Sequence, residues 1–153
     1  MAISARLLGV FPGVRGLSVP ITQGKTLRTT VNIQIGGNVP VDNPEVFIFI
    51  ADELSPPTGD PYSDLLTWID EQETSDWLQS TQTGIAPGTT LTFTSDIDTS
   101  SLTTGIKDVA VVLRIFYQGT EYYVDEYHEN DAVEIVAPAA PGASIVSVSY
   151  EEV

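Results

Sequence analysis

The sequence predicts an all-β chain folded as an antiparallel sandwich, with one short helical insertion and extended termini. Three observations predict it. Apolar residues recur with a period of two over short stretches, turn-forming pairs separate those stretches at close intervals, and a single segment shows helical spacing. At 153 residues the chain fits one domain with extensions and is long enough to bury a core without covalent staples. It has no cysteine, which excludes disulfides and leaves the compartment open.

The first clear strand is "KTLRTTVNIQIGG", where Leu27, Thr29, Val31, Ile33 and Ile35 alternate with Arg28, Thr30, Asn32 and Gln34, and Gly36-Gly37 closes the run. "EVFIFIAD" is apolar at six successive positions, 46 to 51. So short a run, rich in branched and aromatic residues, predicts a central strand covered on both faces. The rhythm then breaks. Asp60 followed by Pro61 has the form of an N-cap with proline at the first helical position. Tyr62, Leu65, Leu66 and Ile69 take the i, i+3, i+4, i+7 face of a helix of three turns or fewer, expected to lie as a lid over one end of the β structure.

"SDWLQST" returns as a short strand or edge. In "APGTTLTFTSDID" a Pro87-Gly88 turn precedes Leu91, Phe93 and Ile97 facing inward and Thr90, Thr92 and Thr94 facing outward. The clearest hairpin follows. Val109, Val111, Leu113, Ile115 and Tyr117 form one face, Gln118-Gly119 is the turn, and "TEYYVDEY" returns. Positions 128 to 131 interrupt the return strand as a polar loop or bulge, after which "AVEIV" resumes it. The strand from Val109 is apolar on its second face too, through Ala110, Val112 and Phe116. That face requires a cover, either the helix or a neighbouring subunit.

The amino terminus has a short apolar run broken by Pro12 and Gly13, without the form of a signal peptide, and no stretch approaches the roughly 20 residues of a membrane-spanning helix. The expectation is a protein that does not insert into membranes. Net charge is −15 and unevenly spread. Residues 1 to 41 hold Arg6, Arg15, Lys25 and Arg28 and no acid, giving +4. Residues 42 to 153 hold all 21 acids against Lys107 and Arg114, giving −19. Solubility explains such a split, and so does a basic arm set against the acidic body of another copy. Four spread-out cations in an acidic field exclude nucleic acid as a partner.

Candidate chemistry is thin. "YVDEYHEND" gathers Asp125, Glu126, Glu129 and Asp131 around the only histidine, His128. It lacks the spaced D-x-D-x-D-G pattern of a calcium loop, so a solvated hairpin loop is the favoured reading and no metal is expected. Asp96 and Asp98, two apart on a strand, share a face and are a similarly weak pair. There is no G-x-S-x-G elbow, Walker loop or H-E-x-x-H, and nothing supplies His128 with a nucleophile. The expectation is a non-enzyme without cofactors. Phe116, Tyr117, Tyr122, Tyr123 and Tyr127 crowd one hairpin. An exposed tyrosine row binds protein or sugar, but filling of the core and its edge is the favoured reading.

In the order "QGKTLRTTVNIQIGG", "EVFIFIAD", "APGTTLTFTSDID", "DVAVVLRIFYQGTEYYVDEY" and "NDAVEIVAP", the chain resembles the bacterial and archaeal immunoglobulin-like modules related to the CARDB type. The match runs over most of residues 18 to 138 and departs from the pattern in the helical insert and the acidic skew. The resemblance implies an immunoglobulin-like β-sandwich, and adhesion or display of the kind found on prokaryotic surface proteins and accessory phage virion proteins.

The resulting expectation has three segments: a basic arm or first strand at 1 to 17, the sandwich at 18 to 137, and a linker with a tail strand at 138 to 153. In "ASIVSVSYEEV" the tail alternates Val146, Val148 and Tyr150 with Ser147, Ser149 and Glu151. The function expected is structural: a capsid decoration protein on a virion surface that binds an assembled lattice and its own copies as a homo-oligomer. The alternative is an adhesion module of a cell-surface or secreted repeat protein, and a third reading is a chaperone-like or ligand-binding sandwich. Candidate contact residues are Arg6, Arg15, Arg28, Tyr123, Tyr127, Val146, Val148 and Tyr150.

Overall fold

The computed structural model describes residues 2–11 and 18–139, and of Phe11 the backbone alone. Strands dominate, in the order β1 (Ile3–Phe11), β2 (Val19–Thr22), β3 (Thr26–Gly37), β4 (Asp42–Ala51), helix α1 (Pro61–Glu71), β5 (Thr74–Gln79), β6 (Thr90–Asp98), a 3-10 turn (Thr99–Ser101), β7 (Gly105–Tyr117) and β8 (Thr120–Val136). Two sheets form, a three-stranded one ordered β1-β3-β6 and a five-stranded one ordered β2-β8-β7-β4-β5. This is the immunoglobulin-like arrangement with β3 and β6 as strands B and E, and β4, β7 and β8 as C, F and G. The first strand is divided between the sheets: β1 runs antiparallel to β3, and β2 runs parallel to β8.

The alternation read in β3 is the one that folds. Leu27, Thr29, Val31, Ile33 and Ile35 are buried, and the residues between them are not. They meet Val46, Ile48 and Ile50 of β4 and Val109, Val111, Leu113 and Ile115 of β7 in the main core between the sheets. The residues read as the "arm" include β1, whose Ala5 and Val10 belong to that core. Close approach of β1 to the end of β3 depends on glycine. At Gly37 (φ +71°) a Cβ would stand 2.2 Å from the Ala2 carbonyl oxygen. The β7–β8 turn has positive φ at both Gln118 and Gly119, as a two-residue hairpin requires.

Of the loop and the bulge expected in β8 at 128 to 131, the bulge is what forms. In it three residues, Asn130, Asp131 and Ala132, stand opposite Asp108 alone, and Asp131 adopts φ 53°. Asp108, itself buried, fixes the bulge by accepting hydrogen bonds from Asp131 N and Leu54 N, both at 2.9 Å. A second irregularity leaves Val124 unpaired between the Arg114–Tyr123 and Leu113–Asp125 pairs. It puts Tyr122 and Tyr127 on the core side and Tyr123 on the outer side, so the hairpin tyrosines do not form one row.

Helix α1 lies where its cap predicts, but it is not a lid over one end of the sandwich. It covers the outer face of the five-stranded sheet, where Leu65 and Trp68 join Phe47, Phe49, Ala51, Leu54, Ala110 and Val112 in a second apolar cluster. Its buried stripe is Asp64, Leu65 and Trp68 rather than the expected face. Tyr62 and Leu66 are exposed.

Candidate functional site

Strands β4 and β7 are apolar on both faces, so the outer face of their sheet must be covered or offered to a partner. The insert covers the half beside the β4 C-terminus. Asp60 Oδ1 accepts from Tyr62 N and Ser63 N at the helix start. Trp68 tilts against Phe49 and stacks on the His128 ring, with centroids 6.3 and 6.1 Å apart. Its indole N–H donates to the Ser55 carbonyl at 2.8 Å, and Glu71 accepts from Ser55 N at 2.8 Å. His128 Nε2 lies 3.1 Å from the Leu54 carbonyl oxygen. The only histidine is therefore a packing residue that helps to seat the insert.

The other half of the face, toward the β7–β8 turn, carries an aromatic patch around one arginine. The Arg114 guanidinium stands 5.0, 5.1 and 5.6 Å from the ring centres of Phe47, Phe116 and Tyr123. Trp77, on the edge strand β5, meets Phe47 edge to face at 5.1 Å and remains 58% exposed. Tyr62, at the helix start, lies tilted against Tyr123 at 4.9 Å and is itself 46% exposed. Arg114 is held by Glu45, by Glu121 at 2.9 Å and by the Tyr123 hydroxyl at 3.1 Å. Burial works against its charge, and the hydrogen bonds it donates to Glu45 and the Tyr123 hydroxyl overcome that, so its pKa lies above the ordinary arginine value. The patch is thus aromatic, and its single cation is already balanced by two carboxylates.

The buried charge of Lys107 is paired. Lys107 has no exposed side-chain surface and donates to Asp52 (2.5 Å), Glu73 (2.7 Å) and Thr103 Oγ1 (2.6 Å). A cleft of about 530 Å³ opens nearby, lined by Asp52, Leu54, Asp108, His128 and Asp131 among others. Asp52 and Asp108 in its wall are already engaged, by Lys107 and by backbone amides.

The candidate contact residues fall in different places. Arg6, on the outer face of the three-stranded sheet, donates to Gln34 Oε1 at 2.9 and 3.2 Å. Arg28, on the same face, makes a two-pronged pair with Asp96 at 2.8 and 2.9 Å, which raises the arginine pKa and lowers that of the aspartate. Tyr123 borders the aromatic patch. Tyr127 packs toward the main core, and its hydroxyl donates to Glu129 at 2.9 Å. Arg15, Val146, Val148 and Tyr150 lie outside the described residues.

The acids around His128 diverge. Asp125 accepts from Leu7 N (2.7 Å), Glu126 from Gly59 N (3.2 Å), and Glu129 from Tyr127. Asp98 caps the 3-10 turn while Asp96 serves Arg28. Trp77 and Arg114 are the residues that sequence reasoning passed over. Their signal was an aromatic and a cation on strands otherwise read for core alternation.

No protein-family model matches the sequence, and no curated protein matches it. Among solved structures, the chain is similar to the CARDB domain of a Pyrococcus furiosus protein crystallised in complex with di-metal ions, at 9% identity over 88% of each chain and a TM-score of 0.44. It is also similar to the seventh ScaB type I cohesin from Pseudobacteroides cellulosolvens, at 10% identity, 97% and 98% coverage and a TM-score of 0.40. A third is the sporulation control protein Spo0M from Bacillus subtilis, at 16% identity, 90% of this chain, 51% of that chain and a TM-score of 0.39.

Proposed function

We propose that the chain is a non-enzymatic assembly module that docks on protein through the aromatic half of its outer sheet face. The observation that carries this reading is Trp77, more than half exposed and joined through Phe47 to Arg114, which Tyr123 joins in turn to Tyr62; these are the residue types that concentrate binding energy at protein interfaces. With Glu45 and Glu121 balancing Arg114, the patch suits a neutral to basic partner. The outer face of the three-stranded sheet of a second copy, bearing Arg6 and Arg28, has that chemistry. A face-to-back contact of this kind is heterologous and builds rings or rows rather than a closed pair. A repeating surface such as a capsid fits this mode, with the chain as a decoration protein on a virion.

A second reading, an adhesion module in a cell-surface repeat protein, draws on the positions of the first and last strands. Strand β1 begins beside Gly37 and β8 ends beside Thr22, at opposite poles of the sandwich, as serial connection of modules requires.

Sedimentation equilibrium of the full chain tests the assembly reading. Mass is expected to rise with concentration in the parent, and far less in Trp77→Ala and in Arg6→Glu. A monomer at every concentration in all three overturns self-docking.

A further inference from the structure

Glu126 projects from β8 onto the outer face, where the loop before α1 and the first turn of the helix close over it. Asp64 of that turn is 2% exposed and accepts from Thr58 N and Thr58 Oγ1 at 2.9 and 2.8 Å. Glu126 has a single N–H donor, Gly59 at 3.2 Å. Its Oε2 is buried and receives no hydrogen from any described donor. Successive loop amides, Thr58 N and Gly59 N, reach Asp64 and Glu126 respectively, so the loop brings the two carboxyls together, with the buried Glu126 Oε2 left without a donor. Two ionised carboxylates offer only acceptors, so this contact is a bond only when one of them carries a proton.

We propose that Asp64 and Glu126 form a proton-operated latch that holds the helical insert over the outer sheet face. With the shared proton in place, Glu126 donates to Asp64 and the insert is clasped. Without it, two anions face each other in a buried position and the clasp opens, uncovering Phe49, Ala110 and Val112 next to the aromatic patch.

The assignment of the proton follows from the donors. Asp64 has the Thr58 pair and stays ionised. Burial works against its charge, and hydrogen bonds from Glu126, Thr58 and Gly59 hold its pKa below the ordinary value. Glu126 is pushed up to about 7, first by burial and then by the hydrogen bond and charge of Asp64, with Asp125 adding to the field.

Neighbouring charges are committed elsewhere. On the insert, Asp60 caps the helix and Glu71 holds Ser55. On β7, Arg114 is taken by Glu45 and Glu121. On β8, His128 lies against Leu54 O and Trp68. Among the described residues, neither Asp64 nor Glu126 has an ion-pair partner.

The test is amide hydrogen exchange of the full chain on either side of pH 7, with rates divided by the intrinsic rate at each pH. The opening constant of residues 55–71 is expected to rise at least about tenfold from the acid to the alkaline side, the factor that one unit of pKa difference between closed and open forms supplies. In Glu126→Gln the amide donates to Asp64 at every pH, so the profile is flat and protected. Asp64→Asn is a second variant without the facing anions and is also expected to be flat. A parent without pH dependence overturns the latch, and so does Glu126→Gln rising as steeply as the parent. The readout is exchange and not partner binding, so it is independent of the docking reading.

Discussion

The Lys107 ammonium, with no exposed side-chain surface, stands 2.7 Å from a carboxylate oxygen of Glu73 and ties the residue after α1 to the start of β7. Asp52 and Thr103 complete its set of three acceptors, so the buried charge is satisfied. The network closes the end of the sandwich from which the insert departs.

Lys107→Met therefore leaves Glu73 with Thr103 as its partner and no countercharge, and a loss of about 3 kcal/mol is expected in urea unfolding. An unchanged midpoint would contradict the role given to the pair.

The same network predicts the pH profile of stability. Burial acts against the Glu73 charge, and the hydrogen bonds from Lys107 and Thr103 outweigh it, so its folded pKa lies below the ordinary value. Its contribution is present above the ordinary carboxylate range and lost as pH falls through the lowered value. Lys107, raised above 10.5 by Asp52 and Glu73 against the effect of burial, contributes fully below that value and loses its contribution as pH rises through the folded value. Glu126 contributes fully below 4.5, and its contribution is lost as pH rises through about 7. Thermal unfolding is expected to give greatest stability at mildly acid pH. The decline toward pH 7 and above should disappear in Glu126→Gln and persist in Lys107→Met.

The two tryptophans report on the two halves of the outer face. Trp68 is fully buried and Trp77 is 58% exposed. With Trp77→Phe, the remaining emission should resist aqueous quenchers at acid pH. Trp68→Ala removes the ring against which Phe49 and His128 pack and should cost about 3–5 kcal/mol. Trp68→Phe keeps most of the packing, loses the bond to Ser55 O and should cost about 1 kcal/mol beyond its lost volume.

Asp108 joins the β8 bulge to the insert. Asp108→Ala leaves Leu54 N and Asp131 N without their acceptor, and a loss of about 2–3 kcal/mol is expected, with increased exchange at both amides. Asp108→Asn retains one oxygen acceptor and should fall between the two. Equal stability of all three would remove the bulge from the account.

Much of the fold was legible because period-two alternation survives wherever a strand faces one core. Strand β3 and the inner face of β7 were read residue by residue, and so was the Asp60-Pro61 start of the helix. The helical face was misassigned because its buried stripe includes a carboxylate, Asp64, whose burial depends on Thr58 and on Glu126, 62 positions along the chain. Which hairpin tyrosine faces outward escaped because one unpaired residue, Val124, shifts the alternation between Tyr123 and Tyr127, and no polar run marks that bulge as one marks the bulge at 130 to 132. The docking patch depends on β5 lying next to β4, which brings Trp77 to Phe47, and on the cross-strand pairing of Arg114 with Tyr123. Neither adjacency is a local property.

The most direct test of the central claim is a dilution series of the full chain followed by two-dimensional NMR of backbone amide and tryptophan indole N–H groups. Concentration-dependent shifts are expected at the Trp77 indole, along β5 and around Arg114 and Tyr62, matched by shifts on the outer face of β1 and β3 at Arg6 and Arg28, while the Trp68 indole stays unmoved. Spectra identical at every concentration, or shifts confined to residues outside these two faces, would contradict it.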